Sequence, residues 1–269
     1  MSILDAIIQG VVQGLTEFLP VSSSGHLAIT QHILGAGTGE SNLFFNVMLH
    51  VGTLVAVVAF YHKLVWDLIK EFFLMLKDIF TGKFKWSKMN YNRNLVVMLI
   101  IGLIPLFLLF MPIPGTDMKL KDLADQLSAS PVLIVTACSL ILTSVLLTIG
   151  IIRNRKSVAS THKHLATKSN AKATRDNFNV VDAILVGVTQ VCAALLPGLS
   201  RSGSTLSVGE MRGISKQKAL DYTFVLGIPS ILAAVISLIE MFATIRISAA
   251  VTTKLVKSAA VLPNRTTSG

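Results

Sequence analysis

One polar stretch among apolar residues, QGLTEFLPVSSSGH at residues 13–26, limits the folds open to this chain more than any other feature. It begins with helical spacing, is interrupted by Pro20 and continues with three serines. A second polar interruption, PGLSRSGST, occupies residues 197–205. Within a bilayer, non-helical backbone is tolerated only where protein or water satisfies its amide groups. In a membrane protein, the two interruptions therefore predict a shared wet cavity.

The composition favours a membrane protein. Hydrophobic residues make up 52% of the 269 residues and charged residues only 14%, whereas a soluble domain carries about 25% charged residues. The formal net charge of +10 would suggest nucleic acid in a soluble protein. Here the basic residues fall in two loops with few aromatic neighbours, which is typical of orientation signals and contacts to anionic membrane lipids. We expect a polytopic membrane protein with no nucleic-acid partner.

Long apolar runs give the predicted membrane spans. A span needs about 20 apolar residues. The predicted spans are residues 43–62, 94–112, 131–152 and 218–240. Because basic loops stay in the cytoplasm, residues 63–93 and 153–178 are predicted inside and the nearly neutral 113–130 loop outside. Cys138 and Cys192 lie in apolar runs and are predicted to be buried free thiols, with a disulfide or a metal pair as the minor alternative.

An internal repeat relates the two halves of the chain at an offset of 177 residues. The matches include Asp5-Ala6-Ile7 with Asp182-Ala183-Ile184, Leu19-Pro20 with Leu196-Pro197, and Ser23 with Ser200. The first half holds three spans, an odd number, so its twin must lie upside down in the membrane. This arrangement is the inverted-repeat plan of many transporters, whose sites lie near the midplane on broken helices.

The predicted fold is therefore all-α, a polytopic membrane protein of two inverted-topology repeats. Each repeat has a re-entrant helical hairpin followed by transmembrane helices. We treat 1–269 as a single integral membrane domain. Its parts are a first repeat at 1–153, a basic cytoplasmic loop at 154–177, an incomplete second repeat at 178–240 and an atypical polar tail at 241–269.

The two hairpins are predicted to enter from opposite faces, the first from outside, and to meet at their tips. Arg201 lies at the second tip, and an arginine within a membrane is costly enough that function is its first explanation. Its guanidinium suits phosphate in a bidentate geometry. A helix that restarts near Ser202 would direct free amides to the same place. The residues predict an oxyanion site.

The first tip carries groups for acid–base and nucleophilic chemistry. Glu17 and His26 are suited to proton transfer, and Glu17 also to a divalent cation. Ser22 or Ser23 is a candidate nucleophile beside His26. Three further polar residues are interpreted as structural or interfacial: His50, Asp182 and Glu240.

Both motifs resemble those of the undecaprenyl-diphosphate phosphatases, a family also known from bacitracin resistance. Residues 13–26 resemble that family's (E/Q)-x-x-x-E block with P-V-S-S-S/T-G-H, and 197–205 resembles its P-G-x-S-R-S-G-x-T. The resemblance extends to about Glu240. It implies an integral enzyme of the bacterial cytoplasmic membrane, with its active site open to the outer face. Such an enzyme removes the terminal phosphate of a polyprenyl diphosphate, recycles the lipid carrier for peptidoglycan synthesis and depends on Mg²⁺ or Ca²⁺.

Position by position, the resemblance implies roles for particular residues. Glu17 is the catalytic acidic residue and, with Gln13, the tentative metal ligand. Ser23 is the candidate nucleophile, His26 the catalytic histidine and Arg201 the phosphate-holding arginine. The other predicted phosphate-binding residues are Ser22, Ser24, Gly198, Ser200, Ser202, Gly203 and Thr205.

Two departures from the family pattern leave alternatives open. Gln13 replaces a glutamate of some members, which should weaken cation binding somewhat. Residues 241–269 are too polar and interrupted for the spans that the inverted repeat requires, so the second half is expected to be incomplete. The alternatives are a polyprenyl-phosphate transporter or flippase and an inactive truncated relative. A water activated by Glu17 could replace the serine nucleophile, and a homodimer is left open.

Overall fold

The computed structural model describes residues 2–35, 40–86, 89–116, 118–129, 133–165 and 175–260. Within these ranges the regular structure is helical, apart from two isolated β-bridges. The prediction of an all-α fold is thereby confirmed. The helices are α1 Ile3–Phe18, α2 Ser23–Ile33, α3 Glu40–Phe60, α4 His62–Phe80, α5 Tyr91–Leu103, α6 Leu120–Ala129, α7 Leu133–Leu165, α8 Val180–Leu195, α9 Arg201–Met211 and α10 Lys216–Ala260. A 3₁₀ helix, Ile104–Phe110, continues α5.

Among the described residues, three helical segments are long and apolar enough to cross a membrane: Tyr91–Phe110, Leu133–Arg155 and Lys216–Ser237. A fourth candidate is the pair formed by Phe44–Phe60 and α4, which is bent by 83° at the junction. The three segments and the first helix of the bent pair overlap the four predicted spans, so the chain is a polytopic membrane protein.

Helical structure is more extensive than predicted. Residues 63–93 were expected to be a loop, yet α4 extends through them as far as Phe80, and α6 lies within the expected 113–130 loop. Both helices are amphipathic, and a search for long apolar runs does not detect such segments. α7 continues into the predicted loop 154–177, and α10 into the predicted tail 241–269. Residues 166–174 and 261–269 of those two segments lie outside the described residues.

The two cysteines differ from prediction as well. Cys138 and Cys192 are exposed free thiols. Apolar residues on a membrane helix pack against lipid as readily as against protein, so an apolar run does not predict which face is buried.

The main hydrophobic core packs α5 against α8 and α10. Tyr222 is fully buried, its hydroxyl donates to the Met98 carbonyl at 2.7 Å, and its ring stacks on Phe178 with centroids 4.0 Å apart. The Gln190 amide of α8 donates to the Gly102 carbonyl of α5 at 3.0 Å. This core holds the α8–α9 hairpin against the membrane-crossing helices.

The α1–α2 and α8–α9 hairpins have matching local structures. α1 and α8 each have 16 residues, and each begins with a capping box, Ser2 with Asp5 and Asn179 with Asp182. α2 and α9 each have 11 residues, and each is capped by a serine, Ser22 and Ser200. The break between α8 and α9, residues 196–200, has one more residue than the break between α1 and α2, residues 19–22. The expected equivalence of Ser200 with Ser23 is therefore wrong, because the extra residue brings Ser200 into register with Ser22.

Candidate active site

The two hairpin breaks touch each other. A Cβ atom added at Gly203, in the first turn of α9, would overlap the Pro20 carbonyl oxygen of the first break. The Gly203 amide donates to the capping hydroxyl of Ser200 at 2.9 Å. Because only glycine lacks a Cβ, this position allows the close approach of the two tips.

Glu17 stands at the centre of the contact between the tips. Its side chain is almost fully buried, at the last turn of α1. Oε2 accepts a hydrogen bond from the Ser23 hydroxyl at 2.6 Å and another from the Gln13 amide at 3.1 Å. Oε1 accepts from Nη2 of Arg201 at 3.4 Å. Three of the predicted site residues therefore converge on one carboxylate.

Arg201 is the first residue of α9 and reaches across to the first hairpin. Its guanidinium pairs with Glu17 through Nη2 and donates through Nη1 to the Gly227 carbonyl of α10 at 3.4 Å. The side chain is 28% exposed, so part of the guanidinium remains open to the cavity beside it. Two residues 184 positions apart in the sequence, Glu17 and Arg201, thus form one ion pair.

A small cavity opens beside this ion pair. Its polar lining is formed by Glu17, Arg201, Ser202 and Thr223. Its apolar lining comes from α3 and α10, through Leu54, Val57, Phe224, Ile228 and Ile231. A ligand that fits this cavity would have an anionic group next to a hydrocarbon chain.

Backbone strain positions the serine nearest to Glu17. Ser22 has a φ of 76° and is the one non-glycine residue with positive φ in the part of the chain that the structure describes. Its hydroxyl accepts from the Gly25 amide at 3.2 Å and so caps α2. The strained cap directs Ser23, the next residue, toward the carboxylate of Glu17. Strain of this kind is typical of functional sites.

Two histidines lie near the contact between the hairpins, and their contacts with Glu17 differ. His26 is half-buried, and its Nδ1 lies 2.7 Å from the Ser22 carbonyl oxygen. Within the described ranges, no hydrogen bond or ion pair joins His26 to Glu17, Ser23 or Arg201. His50 of α3, which was expected to be structural, instead places Nε2 3.9 Å from Oε2 of Glu17. The sequence signal available for His50 was an ionisable residue inside a predicted span.

Of the hydroxyl residues predicted to bind phosphate, one lines the cavity and others make contacts elsewhere. Ser202 lines the cavity, and its hydroxyl lies 3.4 Å from that of Ser200. Thr205 is turned away, because its hydroxyl donates to the Arg201 carbonyl at 2.9 Å and contacts the Thr223 hydroxyl at 3.2 Å. Ser24 is exposed, with its hydroxyl 3.4 Å from that of Ser22.

The two remaining predicted residues, Gly198 and Ser200, shape the backbone of the second break. Gly198 has a φ of +87°, and a Cβ there would lie within 3.1 Å of three atoms of Thr136. The Ser200 amide donates to the Thr143 hydroxyl of α7 at 3.0 Å. Gly198 and Ser200 therefore fix the second break against α7, and α9 begins with its first amides near the cavity.

Oxygen atoms suited to a hard divalent cation gather at Glu17. Oε1 of Gln13 is buried and has no hydrogen-bond partner among the described residues. The Gln13 amide nitrogen and the Ser23 hydroxyl both bind the Glu17 carboxylate, and Mg²⁺ and Ca²⁺ prefer oxygen ligands of these kinds. The described residues contain no group of three or more His, Cys, Asp or Glu that could hold a metal. The donor set therefore fits a cation that takes its remaining ligands from water and from a bound phosphate.

Comparison with known proteins places these features in one family. The profile of the family described as "Bacitracin resistance protein BacA" matches residues 6–262, past the expected limit near Glu240. A protein of Alkaliphilus metalliredigens named "Undecaprenyl-diphosphatase" is 38% identical over 237 residues, covering 88% of this chain and 76% of the relative. A protein of Methanobrevibacter smithii with the same name is 36% identical over 248 residues, covering 91% and 79%. The chain therefore belongs to the bacitracin resistance protein BacA family.

Proposed function

We propose that this membrane protein hydrolyses undecaprenyl diphosphate to undecaprenyl phosphate and inorganic phosphate. The observation that carries the proposal is the contact of Ser23, Glu17 and Arg201 at the mouth of an amphipathic cavity. The relatives that match most of the chain bear the name of this activity. The product is the lipid carrier used in peptidoglycan synthesis, and its recycling is the basis of bacitracin resistance.

Ser23 is the nucleophile of the proposed reaction. Its hydroxyl already donates to Glu17, the geometry of a nucleophile with its general base. The Ser23 oxygen attacks the terminal phosphorus, and its proton moves to Glu17. The bond between that phosphorus and the bridging oxygen breaks, which releases undecaprenyl phosphate. Glu17 gives the Ser23 proton to solvent and then takes a proton from the water that attacks the phosphoserine. The bond between phosphorus and the Ser23 oxygen breaks, Glu17 returns its proton to that oxygen, and inorganic phosphate leaves.

Arg201 supplies the positive charge that the reaction needs. The substrate carries a diphosphate, and phosphoryl transfer depends mainly on neutralising the phosphoryl oxygens and aligning the groups. A phosphate that enters the cavity meets the open part of the guanidinium, Ser202 and the first amides of α9. The apolar lining formed by α3 and α10 continues as the path of the polyprenyl chain.

A divalent cation, Mg²⁺ or Ca²⁺, belongs to the proposal. Glu17 and Gln13 would hold it, and it would supply further charge to the phosphoryl oxygens when bound. Gln13 contributes an uncharged oxygen, so we expect weaker cation binding than a second carboxylate would give.

We further propose that the two hairpins belong to inverted repeats in a cell membrane, with the cavity open to the outer face. The support is the equal helix lengths and equivalent caps of the two hairpins, together with the odd number of spans expected in the first half. The lipid substrate then enters sideways from the outer leaflet.

The test is phosphate release from undecaprenyl diphosphate by the purified full chain in detergent. We expect turnover with Mg²⁺ or Ca²⁺ and its loss with EDTA. Ser23→Ala should abolish turnover while binding of the lipid diphosphate persists. Arg201→Lys should also fail, because a point charge does not replace the guanidinium fork. Normal turnover of Ser23→Ala would exclude the serine route in favour of water activated by Glu17.

A transporter or flippase for polyprenyl phosphates is the second candidate, since inverted repeats are typical of transporters. Movement of labelled lipid across vesicles without phosphate release would favour it. A chain with neither activity would be the inactive relative.

A further inference from the structure

Helix α4 runs nearly perpendicular to the membrane-crossing helix before it. The two are separated by Tyr61 and bent by 83°. Phe44–Phe60 is the more apolar helix of this pair and lies within the predicted span 43–62. With that segment along the membrane normal, α4 lies close to the plane of the membrane.

One face of α4 carries a regular row of large aromatic side chains. Trp66, Phe73 and Phe80 follow each other at seven-residue spacing, which places them on one side of a helix. They are 58%, 63% and 86% exposed. Exposed aromatic residues arranged along one helix face mark a surface of interaction rather than a surface in water.

A row of lysines runs beside the aromatic row. Lys63, Lys70 and Lys77 have the same seven-residue spacing, and each precedes an aromatic residue of the first row by three positions. Side chains three apart are neighbours on a helix. All three lysines are exposed. The ammonium of Lys70 lies 5.4 Å from the centre of the Trp66 ring and 3.9 Å from the Asp67 carboxylate.

Two acidic side chains of α4, each one residue after a lysine of the row and so about a quarter turn away, hold the helix to the protein. Glu71 and Asp78 both bind Arg93 at the start of α5, at 3.2 and 2.7 Å. Leu68 and Met75, also seven residues apart, are buried in the main core. α4 is therefore fixed with one face toward the protein, and this orientation leaves the aromatic and lysine rows turned outward together.

We propose that α4 is an interfacial helix that binds anionic phospholipid. Its aromatic row lies at the boundary between headgroups and acyl chains, and its lysines contact the anionic headgroups. Aromatic side chains favour this depth, and amphipathic helices with lysine beside the apolar face bind there. Lysines near a membrane surface attract anionic lipid. A second copy of the chain fits this face less well, because it would bring two lysine rows together.

The depth of α4 is measurable with one native residue. The chain has two tryptophans, so Trp86→Phe leaves Trp66 as the only one. The full chain with this change is reconstituted in bilayers that carry brominated lipids. We expect bromines near the glycerol end of the acyl chains to quench Trp66 more than bromines near the methyl end. Stronger quenching from the bilayer centre, or none because another copy covers the face, would overturn the proposal.

The lysine contribution is tested in the same bilayers with brominated anionic and brominated zwitterionic lipid at equal fractions. Quenching should show a preference of about fivefold for the anionic lipid at low salt, the size expected for one fully effective lysine, and high salt should reduce it. Lys63→Gln with Lys70→Gln and Lys77→Gln should remove the preference, and the matched arginine replacements should retain it. Equal quenching by the two lipids in the chain with all three lysines would overturn the assignment.

Discussion

Gly203 sets the distance between the two hairpins through the absence of a side chain. Its Cα faces the Pro20 carbonyl so closely that a methyl group must push the tips apart. Because Ser23 and Glu17 lie on one tip and Arg201 on the other, a small separation breaks the shared geometry. The consequence is catalytic rather than structural, since the helices themselves continue to form.

Gly203→Ala should therefore lower the rate of phosphate release by about a hundredfold, the effect of a 1 Å misplacement of reacting groups. Gly14→Ala is the matched control in the same pair of hairpins, because nothing lies within 4 Å of a Cβ at that position. Alanine also favours a helix interior over glycine. We expect wild-type rates for the control, and equal losses in both variants would contradict the role assigned to the close approach.

His50 is, among the described residues, the histidine that lies within 4 Å of the Glu17 carboxylate. Its Nδ1 lies 2.7 Å from the Asn46 carbonyl oxygen, so we assign the proton to Nδ1 and leave the lone pair of Nε2 facing Glu17. The 3.9 Å separation is too long for a direct hydrogen bond and leaves proton transfer to a small movement or a bridging water. His50 is suited to take the proton that Glu17 receives from Ser23.

His50→Ala should lower the turnover number by roughly a hundredfold, the ordinary contribution of a positioned acid or base. The KM for the lipid should change less, because His50 does not line the cavity. His32, an exposed residue of α2, provides the control as His32→Ala. A parallel His26→Ala variant decides between the histidines: if it loses turnover while His50→Ala does not, proton transfer belongs to His26.

At the level of helices, the positions of the two breaks were predictable from the sequence, and the residues that contact them from other helices were not. Proline followed by a serine-rich stretch ends one helix and caps the next, so both hairpins could be predicted from local sequence. α4 was missed because its apolar residues are spread over a heptad pattern with lysines between them. The contact between His50 and Glu17 depends on how α3 packs against the first hairpin. The register of Ser200 depends on one inserted residue in the second break. Neither is a local property.

The equivalent caps of α1 and α8 differ in what surrounds them. Asp5 is partly exposed and closes its capping box with Ser2. Asp182 is fully buried and also accepts from Arg175 at 3.0 Å and from Arg212 at 2.7 Å. The cap of α8 thus links this helix to Arg212 at the end of α9 and to Arg175 in the segment before α8.

Asp182→Ala should destabilise the folded protein by about 3 kcal/mol, since it removes the anion that two arginines share. Asp5→Ala removes only a capping box and should cost about 1 kcal/mol. Thermal unfolding of both variants in one detergent measures the difference. A loss for Asp5→Ala as large as that for Asp182→Ala would show that the arginine pairs contribute no stability beyond the cap.

At the scale of the whole molecule, the proposed inverted repeats differ in the side of the membrane from which each hairpin enters. If the first hairpin enters from outside and the second from the cytoplasm, the equivalent starts of α1 and α8 lie on opposite sides of the membrane. The basic segment after α4 and the neutral segment before α6 should also lie on opposite sides, by the positive-inside rule.

Four single-cysteine variants test this arrangement after Cys138 and Cys192, both exposed, are replaced by alanine. The positions are Ser2, Lys83, Thr116 and Asn177, all exposed in the structure. A membrane-impermeant maleimide applied to intact cells should label Ser2→Cys and Thr116→Cys, and should label Lys83→Cys and Asn177→Cys only after the membrane is opened. Labelling of Ser2→Cys and Asn177→Cys from the same side would exclude inverted repeats, and both hairpin tips would then have to reach the cavity from one face. Phosphate release by each variant provides the control that the labelled protein is folded.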